Sequence, residues 1–278
     1  MVKLFIALSI FLTSSFLVAS ELDFMLDTKI QSFLDKKTYN ENKKFIEVLF
    51  DPSSDFYMNE RVNSVKVIQT LKDNGLLKLF FSSPRELKLN FKTSGAPLFF
   101  VKIMEDTLRN MGYYRYVTTA SNLDSSEFIW EIGLNSEYAT DPIILDKELG
   151  NRGCNIIDIQ RESLQEWTYT IDMTNAHLNV PKIKPNEEYK LKHSLDANWL
   201  DISEVSKLKI RSSVRNRWYP YIAYYDNLLH LLKLIKKDTV TKKIVLNIPK
   251  NARYIKITDN YTIKNIKDEL IINATSSR

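Results

Sequence analysis

The sequence contains little cysteine, glycine or histidine, and each shortage excludes a kind of chemistry. Cys154 is the only cysteine, so an intramolecular disulfide is impossible. Only 6 glycines occur in 278 residues, and the sequence contains no P-loop, Rossmann glycine pattern or G-x-S-x-G. The histidines, His177, His193 and His230, show no H-E-x-x-H or comparable ligand spacing. The sequence therefore predicts no catalytic, cofactor or metal-ligating residues, and a protein that is not an enzyme.

The first twenty residues are typical of a secretory signal peptide. Lys3 precedes an apolar run, and the small residues Ala19 and Ser20 favour cleavage after residue 20. The apolar run is too short to favour a helix that stays in a membrane, although an uncleaved anchor is the alternative. We therefore expect residues 1–20 to be removed and the mature chain to be a secreted, periplasmic protein with no stable membrane span.

Charge is divided unevenly along the chain. From Pro181 onward, 20 Lys and Arg stand against 10 Asp and Glu, a net of +10. The whole chain has a net charge of +5. Subtracting the +10 of the residues from Pro181 onward and the +1 of Lys3, in the first twenty residues, leaves −6 for residues 21–180. An acidic front half is thus followed by a basic back half. This division fits ordinary solvated surfaces, but it also fits attraction between copies, or a basic surface for an acidic protein, lipid headgroups or an anionic glycan.

Three segments of the front half share one pattern around a glycine. A leucine stands four residues before each glycine and another apolar residue stands eight before, which places both on one face of a helix. The glycine ends that helix because it adopts the left-handed conformation without a Cβ penalty. The three sets are Val67, Leu71 and Gly75; Met104, Leu108 and Gly112; and Leu145, Leu149 and Gly153. Cys154 directly follows the third glycine, where this pattern predicts an apolar residue of the core. Cys154 is therefore predicted to be a core residue and not a nucleophile.

Each glycine is followed by an apolar run, a polar break and a second run with clean alternation. The second runs are RELKLNFKT, EFIWEIGLN and EWTYTIDMT, and period-two alternation predicts strands with one buried face. The predicted fold of residues 59–175 is therefore three helix-strand-strand repeats, 59–95, 96–137 and 138–175, with helices on one face of the hairpins. The alternative is one ordinary α+β domain. Residues 21–58 are predicted to form an N-terminal cap that begins with an amphipathic helix.

The back half is predicted to be a β-sandwich. Residues 176–186 contain two prolines and no strong periodicity, which indicates a linker. Residues 187–278 contain eight short strand candidates separated by polar turns, which favours an antiparallel arrangement. The fold class is thus α+β, with a repeat domain followed by a basic β-sandwich domain.

The order NWLDIS, KLKIRSS, RWYPYIAYYD and IVLNIPKNARYIKITD resembles that of galactose-binding-like β-sandwiches found in carbohydrate-binding modules. The resemblance lies in the rhythm of the strands over about 80 residues. It implies a domain that contacts ligands through loops at one end.

An aromatic run, WYPYIAYYD, supplies the predicted binding surface. On a strand, Tyr219, Tyr221 and Tyr225 share one face, and Trp218, Ile222 and Tyr224 share the other. Aromatic side chains stack on sugars and anchor protein interfaces, although tyrosines also simply cover sheet faces. The residues predicted to bind are Arg215, Arg217, Trp218, Tyr219, Tyr221 and Tyr225.

These features predict a structural or adaptor protein of the bacterial cell envelope. The expected partners are an envelope protein complex or other copies of the chain, bound through the basic domain. Periplasmic parts of envelope machines, such as flagellar periplasmic rings, use similar small αβ repeats with an interaction domain. The first alternative is a protein that binds glycan or peptidoglycan, and the second is an unrecognised hydrolase. Export and the lack of a recognised module argue against nucleic acid.

Overall fold

The computed structural model describes residues 23–124, 126–192, 194 and 196–276. The predicted signal peptide, residues 1–20, lies outside the described residues. The chain divides between Ala176 and His177 into two compact parts, called unit 1 and unit 2 below. Unit 1 contains helices and a mixed sheet, and unit 2 contains antiparallel sheets, which confirms the α+β class.

Unit 1 begins with helices and continues with strands that alternate with helices. Its helices are α1 at residues 23–33, α2 (Lys36–Glu41), α3 (Lys43–Leu49), α4 (Ser64–Asp73), α5 (Pro97–Asn110) and α6 (Pro142–Gly150), with a 3-10 turn at Ser53–Phe56. Its strands are β1 (Tyr57–Met58), β2 (Arg61–Val62), β3 (Phe80–Thr93), β4 (Val117–Leu123), β5 (Phe128–Tyr138), β6 (Asn155–Arg161) and β7 (Glu166–Asp172). Strands β1 and β2 form a small hairpin.

The remaining strands of unit 1 form sheet 1, in the order β4-β5-β3-β7-β6. Strands β3 and β7 are parallel, and the other neighbours are antiparallel. Alternation along β3 buries Leu87, Leu89 and Phe91 completely. On the opposite side, Lys88 Nζ lies 2.9 Å from Glu131 and 3.1 Å from Glu166, so one lysine ties the three central strands together.

The first predicted hairpin is wrong, because β3 is one continuous strand. The predicted polar break falls at residues 82–85, and Phe80 pairs with Tyr138 whereas Arg85 already pairs with Ser136. More residues lie between Phe80 and Arg85 on β3 than between Ser136 and Tyr138 on β5. The polar break is therefore an irregularity within one strand, and the chain does not reverse direction there. Pro84 stands within it and has no N–H to donate to a partner strand.

The three glycine-containing helix ends have the same geometry. Gly75, Gly112 and Gly153 have φ angles of 73°, 92° and 68°. In each case the N–H of the next residue donates to the carbonyl of the leucine four residues before the glycine, at 2.9, 2.9 and 3.1 Å. This 6→1 hydrogen bond is the mark of a Schellman helix end. The leucines, Leu71, Leu108 and Leu149, are completely buried.

The predicted N-terminal cap region, residues 21–58, is mainly helical from residue 23 onward and ends in the 3-10 turn and strand β1. In α1, the ring of Phe33 stacks on Trp167 of β7 with 6.4 Å between centroids. Lys29 Nζ lies 2.5 Å from Asp158 Oδ1 on β6, and Arg161 donates to the carbonyl of Phe33. Helix α1 is therefore held to sheet 1 by ring packing and by charge.

Unit 2 consists of eight strands in two antiparallel sheets. Its strands are β8 (Glu188–Leu191), β9 (Asn198–Asp201), β10 (Lys207–Ser212), β11 (Pro220–Tyr225), β12 (Leu231–Lys236), β13 (Lys243–Asn247), β14 (Tyr254–Asp259) and β15 (Leu270–Thr275), with a 3-10 turn at Ile263–Asn265. Sheet 2 has the order β12-β11-β14-β9, and sheet 3 has the order β13-β10-β15-β8. Each of the eight strand candidates in the sequence overlaps one of these strands.

Both sheets of unit 2 contribute side chains to one buried cluster. Sheet 2 supplies Ile222 and Ile255, for example, and sheet 3 supplies Ile210 and Ile272. Since one face of each sheet is used in this core, the other face of each sheet is directed outward. The two outward faces carry different side chains, which distinguishes two surfaces of unit 2.

Candidate functional site

Trp218 is placed in the core, which corrects its assignment to the predicted binding surface. Its side chain is 0% exposed, and Nε1 donates to the carbonyl of Thr258 at 2.9 Å. Ile222 and Tyr224 are also fully buried in the cluster that contains Trp218. Period-two alternation in the sequence places these three residues on one face of the strand. The structure shows that this face is directed into the core of unit 2.

The two predicted arginines are exposed, but Arg215 is already paired. Its Nε and Nη2 atoms lie 2.7 and 2.5 Å from the two carboxylate oxygens of Asp268, which is the bidentate geometry that guanidinium prefers. These bonds lower the pKa of Asp268 below its ordinary value. Arg217 Nη2 lies 3.4 Å from the hydroxyl of Tyr219. Arg215 therefore joins the segment after β10 to the segment before β15, and Arg217 belongs to a different contact.

Tyr219 packs at one end of β11 against a neighbouring loop. Its ring meets Tyr261 edge to face, with 5.0 Å between centroids. The Tyr261 hydroxyl donates to Asp238 at 3.1 Å, and the acceptor raises the pKa of Tyr261. The structure thus places Arg217 and Tyr219 in a small group with Tyr261, separate from the aromatic residues farther along β11.

Tyr221 and Tyr225 lie half-buried on the outward face of sheet 2, together with residues that the sequence analysis did not select. Tyr225 stands opposite Leu231 of β12, and the next position along this face pairs Ala223 with Leu234. Ala223 also stands opposite Lys256, which in turn faces Trp199 on β9. The aromatic face, as we call this surface, consists of Trp199, Tyr221, Tyr225, Leu231 and Leu234.

Two lysines lie over the rings of the aromatic face. Lys236 Nζ is 5.1 Å from the ring centroid of Tyr221, and Lys256 Nζ is 5.6 Å from that of Trp199. The Trp199 and Tyr225 rings are 5.0 Å apart and tilted by 34°, and partial burial raises the pKa of Tyr225. These contacts hold the rings in place and put positive charge on the same face as the rings.

The apolar part of the aromatic face extends to the edge of sheet 2. Strand β12 pairs with β11 alone, and Leu231 and Leu234 on it are 55% and 38% exposed. Single exposed leucines are common on protein surfaces, but these two lie on the same side of sheet 2 as the aromatic rings, and Leu231 stands opposite Tyr225. The outward side of sheet 2 thus combines three aromatic rings, two exposed leucines and two lysines, a composition rich in the Trp and Tyr that protein interfaces favour.

Sequence reasoning missed Trp199, Leu231 and Leu234, although a signal was present. The β12 run LLKLIK has apolar residues in both strand phases, whereas a strand with one buried face needs them in one phase only. Some of its leucines therefore had to be directed outward. Trp199 is adjacent to the core residue Leu200 and so takes the opposite phase on β9.

Groups that support catalysis or metal binding are sparse in the described part of the chain. No cluster of three or more His, Cys, Asp or Glu side chains able to hold a metal occurs there. His230 Nδ1 lies 2.8 Å from Asp226 Oδ2 in an exposed hydrogen bond, and His193 lies outside the described residues. No helix among the described residues is long and apolar enough to cross a membrane.

Unit 1 has an apolar groove of about 750 Å³ beside the start of α1. Phe24 and Met25 form part of its rim, and Ile157 lines it from β6. Two of the cationic residues around it, Lys29 and Arg161, are held by Asp158 and by the carbonyl of Phe33. The groove therefore offers mainly apolar contact.

Cys154 is buried at the third helix end, as its place in the pattern predicts. Its side chain is 0% exposed, and burial raises the pKa of the thiol to about 11. Because the thiolate is the reactive form, the native protein should be labelled by a thiol reagent at pH 8 only when unit 1 opens. We expect stoichiometric labelling in urea and very slow labelling without it. Rapid labelling of native protein would contradict a core position.

Comparisons of the chain with protein-family models, with curated proteins and with solved structures find no match.

Proposed function

We propose that this chain is a periplasmic adaptor of the bacterial cell envelope, and that it docks a protein partner through the aromatic face of unit 2. The protein acts by assembly rather than by catalysis. Its signal peptide directs it to the envelope, and its partner belongs to an envelope-spanning complex, for which the flagellar periplasmic rings are one model.

The observation that carries this proposal is the aromatic face, where rings and exposed leucines share one side of sheet 2. Trp199, Tyr221 and Tyr225 offer broad rings that are already held in place, so docking costs little side-chain entropy. Leu231 and Leu234 extend the apolar area to the edge of the sheet. Lys236 stands opposite Tyr221, and Lys256 stands between Ala223 and Trp199. Charges on such a surface accelerate the encounter with an acidic partner and select against basic ones.

Unit 1 serves as the rigid scaffold in this proposal. Three helix ends of the same geometry, at Gly75, Gly112 and Gly153, support an internal repeat of one structural module. The continuous strand β3 makes the first copy degenerate. Unit 2 is taken as a β-sandwich whose two outward faces are available for binding.

The size of the complex that contains this chain in an envelope extract tests the proposal. The wild-type chain should migrate in a high-mass fraction, and the double variant Tyr221→Ala and Leu234→Ala should migrate largely as free chain. Loss of two central contacts costs about 2–4 kcal/mol of binding, which corresponds to roughly 30- to 1000-fold in affinity. The measurement is native size fractionation with immunodetection of the chain.

Val245→Ala is the matched control. Val245 is 50% exposed on sheet 3, so this variant also removes an exposed apolar side chain of unit 2 but leaves the aromatic face intact. It should migrate as the wild type does. A wild-type chain found only in its free form, or an equal shift for both variants, would contradict docking through the aromatic face.

A glycan-binding function is the second candidate, because Trp199 and Tyr225 form a tilted pair of rings at the surface. Rings in this arrangement can stack on sugars. In that case purified peptidoglycan sacculi should sediment the wild-type chain, and Trp199→Ala should abolish sedimentation. Sedimentation of both proteins, or of neither, would remove this candidate.

A further inference from the structure

The outward face of sheet 3 carries a two-dimensional array of positive charge. Alternation along β10 directs Leu208 and Ile210 into the core and exposes the residues between and beside them. The basic face, as we call it, consists of Lys190, Lys207, Lys209, Arg211 and Lys243. These residues come from three strands of the sheet, β8, β10 and β13.

Pairing within sheet 3 keeps these cations close together. Arg211 stands directly opposite Lys243 on one side and Ile271 on the other, and Ile271 stands opposite Lys190. Residues on one face of a strand are about 6.7 Å apart, and neighbouring strands are about 4.8 Å apart. The cations therefore occupy a patch that extends along the strands as well as across them.

Acidic side chains neutralise only part of this array. Arg211 Nη2 lies 3.1 Å from Glu188, and Lys190 Nζ lies 3.5 Å from Glu269. No acidic side chain in the described ranges forms an ion pair with Lys207, Lys209 or Lys243. Like charges held this close repel one another. The approach of an anionic surface relieves this repulsion and lowers the free energy.

We propose that the basic face binds the surface of a membrane that contains anionic phospholipid. A planar array of cations matches a planar array of headgroups, whereas an extended acidic peptide would follow a single strand. Four of the five cations are lysines, which are depleted in protein interfaces and act as hydrated point charges without fixed geometry. The residues between them, Val245, Ile271 and Asn273, supply no aromatic ring on which a sugar could stack.

This proposal goes beyond docking through the aromatic face and does not depend on it. The two faces belong to different sheets of unit 2, so one unit can lie on a lipid surface through sheet 3 while sheet 2 remains available to a protein. The attraction is electrostatic, so it should weaken as salt shortens the Debye length from about 10 Å at 0.1 M to about 3 Å at 1 M.

Sedimentation with lipid vesicles tests the proposal. The full chain should sediment with vesicles of phosphatidylcholine that contain about 30% phosphatidylglycerol, and should remain in solution with phosphatidylcholine alone. Each lysine near an anionic surface contributes about fivefold to the partition coefficient, so Lys207→Glu with Lys209→Glu should weaken binding at least 25-fold. Both side chains are exposed, and the thermal melt of the variant checks that the fold is kept.

Lys250→Glu with Lys264→Glu is the control, because it makes the same change in net charge at exposed positions outside the basic face. We expect it to bind within a few-fold of the wild type. The proposal is overturned if the two double variants bind equally, if neutral vesicles bind as well as anionic ones, or if no vesicle binds. Binding to immobilised polyglutamate without any binding to vesicles would indicate an acidic protein instead. The Lys207→Glu and Lys209→Glu double variant should still migrate in the high-mass fraction in native size fractionation, because its aromatic face is intact. Either proposal can therefore fail while the other holds.

Discussion

Replacing Trp218 by alanine should destabilise unit 2 by about 3–5 kcal/mol, which is a large fraction of the stability of a domain this size. The indole is completely buried among side chains from both sheets, and its N–H donates to the Thr258 carbonyl. The substitution leaves a cavity and removes a donor to the partly buried Thr258 carbonyl. Urea unfolding, followed by hydrogen exchange of peptides from β10 to β15, measures the loss.

Two further variants separate the contributions of Trp218. Trp218→Phe keeps much of the ring and loses the hydrogen bond, so it should cost about 1–3 kcal/mol. Trp199→Ala removes the same residue type from the outward face and should cost less than about 1.5 kcal/mol. If Trp199→Ala destabilised unit 2 as much as Trp218→Ala does, the inward and outward assignments of sheet 2 would be wrong.

Alanine at Leu71, Leu108 or Leu149 should destabilise unit 1 by about 2–5 kcal/mol in each case. All three leucines are completely buried, and each accepts the 6→1 hydrogen bond of its helix end. The three side chains share the same burial and the same helix-end geometry, so we expect all three values to fall within this range. The measurement is the free energy of unfolding from urea titration followed by circular dichroism.

Ile144→Ala is the control for this series, because Ile144 is an exposed apolar residue on α6. It should change the free energy of unfolding by less than about 0.5 kcal/mol. A cost near zero at one of the three leucines, with full costs at the other two, would show that this helix end plays a different part. The proposal of an internal repeat would then be lost.

Strand positions were predictable from the sequence wherever one face of a strand is buried. In β10 the run KLKIRS alternates strictly, and the structure buries Leu208 and Ile210 and exposes the cations. The glycines at the helix ends were equally informative, because a positive φ is favourable for few other residues. Both signals are local, and neither needs knowledge of which strands become neighbours.

The errors arose where a local pattern has two physical solutions. The segment SSPR resembles a turn, but it is accommodated in β3 because β5 continues to pair with the strand on both sides of it. Alternation along the run WYPYIAYYD places Trp218 and Tyr221 on opposite faces of the strand. It does not determine which of the two faces is directed into the core. That choice depends on sheet 3, which supplies the opposite half of the buried cluster. The aromatic face draws on β9, β11 and β12, so its composition depends on strand order as well as on sequence.

Photo-crosslinking in living cells tests the central claim most directly. A photoreactive amino acid is placed at position 234 on the aromatic face or at position 245 on sheet 3, and adducts of the chain with other proteins are compared. We expect a discrete protein adduct from position 234, lost when Tyr221→Ala is added, and none of the same mass from position 245. Adducts from position 245 alone, or none from position 234, would contradict docking through the aromatic face.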